Sequence, residues 1–448
     1  MKNVPGLASL LLVAALSIGG GCSLRRTGDA ESLSVLRCER QSGPALANVT
    51  GPPETQCLGT ISLERFSQAY YSVFQRHNEP LETSRWAWNV LNTGATLREN
   101  LQPAQPEWFT SMDEEAAWDS IGTLDNPGIT LVTTALRAMP TTKPLINDPA
   151  KPGQGFPFDA LQNSLINANE PIWLSHHSRS GKWTFVFTSY ASGWVLSRDV
   201  ATIPEEHTIS WPQMSPVALI QEDFPVRTNR GRFLFFSRIG MIAPLVEADP
   251  NGFKVLLATS KNQAGEAVFE VITLPRHIAA AIPVAPTLRN FSLVVANMQR
   301  LSYGWGGLFE NRDCSAAIRD LFMPFGLWLP RNSRQQAALG RVVRLSGLSN
   351  EDKARMIVEN GIPFATLLAK KGHIALYIGN DHGSPVVLHS VWDLTAQRGS
   401  KEIRQHFGQM VFTTLNPSPA EPECGQSTTL LANLISMNNL EVPTTPLN

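Results

Sequence analysis

The sequence predicts a mixed α+β chain of several domains: a helical region, then two β-barrels, then an α+β unit at the C-terminal end. Three observations carry this. Apolar residues recur at helical spacing over 61–74, short β-branched and aromatic runs broken by Gly, Pro and Ser fill 128–286, and helical and strand patterns alternate over 287–415. The chain has 448 residues, room for about three domains. Apolar residues make up 43 % and charged residues 17 %, enough to pack cores. The net charge of −1 offers no basic excess to neutralise phosphates, which argues against a nucleic-acid partner. The expected divisions are 1–22, 23–127, 128–205, 206–286 and 287–448.

Residues 1–22 read as an export signal. Lys2 opens it, and the apolar run 7–18 is too short to span a bilayer. Gly19-Gly20-Gly21-Cys22 then resembles the bacterial lipobox, although Gly19 stands where leucine is usual. The resemblance implies acylation of Cys22 and an exported, periplasmic lipoprotein held at the membrane. An ordinary cleaved signal with an incidental cysteine is the other reading.

Residues 23–58 are polar and turn-rich, a tether. Ile61, Phe66, Tyr70 and Phe74 predict an amphipathic helix, and Trp86, Trp88, Trp108 and Trp118 are read as core packing rather than as a carbohydrate site. Strands are expected at 129–132, 183–187 and 194–196, then at 233–236, 254–258 and 268–273. Arg137-Ala138-Met139-Pro140 with the later Gly193-Trp194-Val195 resembles the Arg-x-x-Pro loop and closing strand of a bacterial SH3 domain. The second segment is assigned the same SH3-like barrel partly by position. No long linker separates these parts, so they are expected to pack together. His176-His177 are read as surface residues, since neighbours on a strand face opposite ways. The tail, 416–448, is Pro-rich and peripheral.

Five cysteines are present. Cys38 and Cys57 could close a disulfide in an exported protein, and Cys424 sits alone in the tail. No CxxC spacing suggests zinc, and no metal or organic cofactor is called for.

Cys314 lies in sequence that reads as chemistry. Tyr303-Gly304-Trp305-Gly306-Gly307 gives a loop able to approach a substrate backbone, and Asp313 is an N-cap candidate for a helix carrying Ile318, Leu321 and Phe322. A thiol in the first turn feels the positive end of the helix dipole, which favours its thiolate. Downstream, His373 opens one apolar strand and His389 lies in the next, with Asn380-Asp381-His382-Gly383 between them as a turn. A three-residue loop would set His373 directly opposite His389, with Cβ atoms roughly 5 Å apart, so that one imidazole fixes the tautomer of the other. His382, in the turn, is read as solvated.

Together Tyr303-x-Trp305-Gly306-Gly307, Arg312-Asp313-Cys314-Ser315, the strand opening Gly372-His373-Ile374, and His389 resemble the NlpC/p60 family of papain-like cell-wall peptidases. The departure is Ala316, where glycine is common. The resemblance implies a papain-like α+β catalytic domain with Cys314 as nucleophile, His373 as base and His389 as the third polar residue. It implies hydrolysis of the γ-D-glutamyl–diamino acid bond of peptidoglycan stem peptides, with Tyr303 donating to the oxyanion. Pro330-Arg331-Asn332-Ser333 also matches, so Ser333 with Asp313 and Ser315 would hold a free N-terminal L-alanine, the Asp313 carboxylate facing its ammonium group. A monomer is expected. The alternatives are a non-catalytic wall-binding lipoprotein and an acyltransferase on the same fold; the cysteine preceding the histidines argues for the peptidase.

Overall fold

The structure is a computed structural model that describes residues 57–75, 84–91, 97–151, 153–299, 301–398, 401–415 and 429–440. The export signal with Cys22, the tether with Cys38, and Cys424 lie outside the described residues, so the Cys38–Cys57 pairing does too. Cys57 itself is buried.

The Ser62 hydroxyl accepts from the Arg65 N–H at 3.3 Å and starts α1 (Leu63–Tyr70). Phe66 and Tyr70 are buried on one face, and Tyr71, Val73 and Phe74 continue the apolar surface. These side chains join one core with Trp173 and Phe185, with Ala218 and Ile242, and with Met323. The helix thus seals the place where three parts of the chain meet. Two further helices follow, α2 (Trp86–Leu91) and α3 (Pro106–Glu115). Trp118 packs edge-on to Trp88 at 5.3 Å and against Phe185 and Trp194, so it serves packing, as expected.

The first β unit contains β1 (Asn126–Thr130), β2 (Thr134–Arg137), β3 (Gln162–Ile166), β4 (Pro171–His177), β5 (Trp183–Phe187), β6 (Ser192–Leu196) and β7 (Val200–Thr202), in the order β3-β2-β6-β5-β4-β1-β7. Arg137 is the buried anchor of its Arg-x-x-Pro loop. Its guanidinium binds Asp159 at 2.7 Å and Gln162 at 2.8 Å and donates to the Thr141 carbonyl, which satisfies a charge that burial would otherwise penalise.

The surface reading of His176 needs correction. A bulge between Leu174 and His176 shifts the register of β4 on β5 and turns His176 inward. It is fully buried among Phe185, Trp194 and Trp118, with its nitrogens on the Ser175 hydroxyl and the Ala116 carbonyl. His177 stays exposed.

After α4 (Glu205–Ser210) comes the second β unit: β8 (Pro216–Leu219), β9 (Pro225–Arg227), β10 (Phe233–Phe236), β11 (Ile242–Asp249), β12 (Gly252–Lys261), β13 (Ala267–Leu274) and β14 (Ala279–Ala281). Five strands run β13-β12-β11-β8-β14, and β9 pairs β10 as a ribbon.

The C-terminal unit has α5 (Leu288–Met298), α6 (Cys314–Phe322), α7 (Ser333–Gln336), β15 (Arg341–Arg344), α8 (Asn350–Asn360), β16 (Thr366–Lys370), β17 (His373–Asp381), β18 (Ser384–Arg398), β19 (Lys401–Thr414), α9 (Thr429–Ala432) and β20 (Ser436–Asn439). Its sheet runs β15-β20-β16-β17-β18-β19. Helices α5 and α6 lie on that sheet through Phe291, Val295, Ile318 and Leu321 against Leu367, Ile374 and Leu376. Phe291 is held between Phe325 and Phe364, stacked on both.

The β17–β18 register also differs from the expectation. His382 and Gly383 both have positive φ, 48° and 84°, the signature of a two-residue hairpin loop rather than a three-residue one. Asp381 pairs Ser384, and a bulge after Tyr377 then sets Leu376 opposite Leu388. Continued, this register places His389 across from Ala375, diagonal to His373 but on the same face. Diagonal neighbours remain within reach of long side chains.

Candidate active site

Asp313 caps α6 as the sequence predicted. Its carboxylate accepts from the Ala316 N–H at 2.9 Å, which puts Cys314 at the first helical position. Cys314 is buried, and the N–H of Ile374, the residue after His373, acts on its sulfur. The start of α6 therefore meets the start of β17. His373 is placed there by a tight turn: Lys370 pairs His373, with Lys371 and Gly372 between them.

From His373 a polar chain runs across the sheet. His373 Nε2 lies 2.8 Å from His389 Nδ1, and His389 Nε2 lies 3.1 Å from the Thr413 hydroxyl. Two tautomer pairs satisfy both contacts, and one of them suits a base at His373. In that one His373 donates from Nε2, His389 donates from Nε2 to Thr413, and His373 Nδ1 is left as an acceptor for a thiol proton. Burial lowers both imidazole pKa values, that of His373 well below the usual histidine range, with the neighbouring histidine and Lys370 adding to the effect.

The surroundings of Cys314 work against a resting thiolate. Burial, and after it the Asp313 charge, pushes the Cys314 thiol up to about 12, while the Ile374 N–H, Arg331 and the Ser315 N–H pull the other way. The position at the helix start does not overcome burial. Burial thus favours the neutral form of both the Cys314 thiol and the His373 imidazole.

Asp313 is engaged from all sides. Arg331 grips both carboxylate oxygens, at 3.0 and 2.7 Å, and the Gly306 N–H and the Ser315 hydroxyl donate to it at 3.0 and 3.2 Å. Burial raises its carboxyl pKa, but Arg331 and the two backbone N–H groups outweigh this and hold it below the usual range. Asp313, expected to face an ammonium group, already has Arg331 as a countercharge. Ser315 is buried and also accepts from Arg331 at 3.0 Å. Ser333 begins α7, part-exposed, after the Asn332 cap.

Tyr303 is tied to the site by its N–H to the Gly408 carbonyl at 2.8 Å and by a bridge to Arg312. Burial, then the charges of Asp313 and Cys314, keeps its phenol protonated far into alkali, so it retains a proton to donate. Gly306 and Gly307 prove to face protein. Their φ values are 59° and 87°, and a Cβ on either would come within 2.2 Å of the Gln162 carbonyl oxygen or 2.4 Å of Leu165 Cβ. The glycines let the loop dock on β3 of the first β unit. There Gln162 donates to the Gly306 carbonyl at 3.0 Å, and the Ser164 hydroxyl accepts from Arg331 at 2.9 Å.

Arg331, Thr413, Gln162 and Ser164 received no role from the sequence. Arg331 at least stood in a recognisable motif; the others are polar residues in strands and carried no local signal. Behind α6, Arg312 binds Asp320 at 2.7 Å and Glu222 of the second β unit at 2.9 Å, and Arg319 binds Glu170 of the first at 3.4 Å. Among the described residues no three His, Cys, Asp or Glu side chains converge as metal ligands.

Comparison with known proteins places this geometry. Residues 144–196 match the SH3 domain family model of the SH3b1 type, and residues 300–391 match that of the NlpC/P60 family. A search of curated proteins gives no significant match. An NlpC/P60 endopeptidase from Photobacterium damselae subsp. piscicida has a similar fold, at 22 % identity and a TM-score of 0.76, over 89 % of this chain and 97 % of that one. An NlpC/P60 family protein from Bacillus cereus is more distant, at 15 % identity and a TM-score of 0.43, over 70 % of this chain and 99 % of that one. The chain therefore combines a segment that matches the SH3 domain family with a C-terminal domain that matches the NlpC/P60 family.

Proposed function

We propose that the protein hydrolyses the γ-D-glutamyl–diamino acid bond of peptidoglycan stem peptides through an acyl-enzyme on Cys314. The observation that carries the reading is the 2.8 Å contact of His373 Nε2 with His389 Nδ1, which, with Nε2 as the donor, leaves His373 Nδ1 to accept the thiol proton. In the first half-reaction His373 takes the thiol proton as the sulfur attacks the γ-carbonyl carbon. The tetrahedral oxyanion receives hydrogen bonds from the Tyr303 phenol and the Cys314 backbone N–H. His373 then protonates the departing amine of the diamino acid. In the second half-reaction water loses a proton to His373, attacks the thioester and releases the γ-glutamyl acid and the thiol.

A free L-alanyl N-terminus finds no unpaired charge in Asp313, so that preference is not part of the reading. Export and acylation at Cys22 complete it: a Cys22→Ala variant is expected in the soluble fraction and the parent protein in the membrane fraction, and equal partition of the two contradicts this. The catalytic test uses L-Ala-γ-D-Glu-meso-diaminopimelate and mass spectrometry. Release of L-Ala-D-Glu by the folded protein, abolished by Cys314→Ala, is the expected result, and no release contradicts it.

A further inference from the structure

Beside Tyr303 the surface carries three aromatic rings from distant stretches of chain. Phe156 comes from the loop between β2 and β3, Phe309 from the glycine loop, and Trp392 from β18. The rings are contiguous. Trp392 lies 6.1 Å from Tyr303, Phe156 lies 6.3 Å from Trp392, and Phe309 lies 6.3 Å from Phe156, centroid to centroid. Phe309 is 70 % exposed and Phe156 64 %. Single exposed aromatics need no explanation, but a connected group at the mouth of a site does.

The backbone adds a second observation. Phe309 and Glu310 both sit at positive φ, 57° and 59°, a region that a bulky side chain rarely adopts. The loop therefore holds a phenyl ring out in solvent at a cost in backbone strain, a pattern that clusters at ligand sites. Core packing offers no return for that conformation, because the ring is mostly in water.

We propose that this shelf binds the amino sugar of the glycan strand, and that the preferred substrate is a stem peptide still attached to its sugar. The proposal rests on the peptidase reading of the neighbouring site. A pyranose ring presents an apolar C–H face suited to stacking on Phe156 and Phe309, and an acylated amino sugar linked to the peptide is neutral. It asks for no charged partner, in keeping with an Asp313 already filled by Arg331. The spacing agrees as well. Two stem residues, the second γ-linked, separate the scissile carbonyl from the lactyl group of the sugar and span at most about 10 Å when extended. The shelf begins one ring spacing from Tyr303, at Trp392, and runs outward from there. Phe156 belongs to the first β unit, so that unit supplies part of the substrate surface.

The test compares kcat/KM for the disaccharide-tripeptide GlcNAc-MurNAc-L-Ala-γ-D-Glu-diaminopimelate with that for the free tripeptide. In Phe309→Ala the ratio of sugar-bearing to sugar-free kcat/KM is expected to fall about tenfold, mainly through KM, and Phe309→Tyr is expected to restore it. A ratio that neither Phe309→Ala nor Phe156→Ala changes overturns the proposal. A second arm is independent of cleavage: the peptide-free disaccharide is titrated calorimetrically against Cys314→Ala with and without Phe309→Ala. Binding that the second substitution weakens supports the shelf, and absence of binding up to millimolar disaccharide overturns it. If neither peptide is cleaved by the folded protein, the peptidase reading fails, and the titration still decides the shelf.

Discussion

The two β units meet the C-terminal domain in different ways. The first lands on the site itself, with Gln162 on Gly306, Ser164 on Arg331 and Leu165 against Gly307. The second acts from behind α6. Its Glu222 binds Arg312 and accepts from the Ile239 N–H, and Arg238 donates to the Glu310 carbonyl. One unit is a piece of the active site and the other a buttress. Substitutions at the first contact should therefore reach catalysis, and those at the second should reach stability.

The largest effect is expected at the buttress. Arg312→Ala leaves Glu222 and Asp320 buried without their shared cation, and should cost roughly 3–5 kcal/mol. Denaturant unfolding checks this, and a loss below about 1 kcal/mol would mean that the network relaxes or hydrates.

The first unit should be the acid-sensitive one. Burial lowers the His176 pKa to about 4, with the Ala116 carbonyl opposing. Below the unfolded-state value near 6.5 the unfolded chain binds the extra proton, so stability is fully present above that pH and is lost as pH falls towards 4. A shift of this size corresponds to about 3 kcal/mol. Replacing the ring by His176→Phe should reduce the slope of the unfolding free energy across that window, leaving the share of the buried His373 and His389, and an unchanged slope would assign the sensitivity to those residues alone.

Next comes the docking loop. Gly307→Ala adds a methyl 2.4 Å from Leu165 Cβ at a φ of 87°, so the loop must lift from β3. We expect kcat on the tripeptide to drop about tenfold or more with little change in melting temperature, because the displaced positions serve reaction geometry. The smallest effect on stability is expected from titrating Cys314. With its thiol pushed up to about 12 and His373 neutral, alkylation by iodoacetamide should climb steadily with pH through the alkaline range. A plateau below pH 7 would instead reveal a thiolate–imidazolium pair.

Much of the site was legible in the sequence because it is local. Asp313 capping the helix of Cys314, and His373 and His389 on adjacent strands, follow from spacing and turn chemistry. The register was not legible, since Asn380-Asp381-His382-Gly383 is compatible with two loop lengths, and the bulge after Tyr377 depends on packing across the sheet. The histidines still meet because the new register keeps them on one face. The inward turn of His176 was hidden for the same reason, a bulge. Least legible was what the glycines are for. Gln162 and Gly306 are 144 residues apart, and a glycine that must pass a backbone looks the same whether the partner is substrate or a neighbouring domain.

The central claim is that the first β unit builds the active site, and Gln162 tests it most directly. Its side-chain amide donates to the Gly306 carbonyl and to the Ser164 carbonyl. Steady-state kinetics of Gln162→Ala on L-Ala-γ-D-Glu-meso-diaminopimelate, measured beside its melting temperature, is the decisive experiment. The account predicts a fall in kcat of about 30-fold or more in a protein that remains folded. An unchanged kcat would contradict it and return the first β unit to the role of a separate wall-binding module.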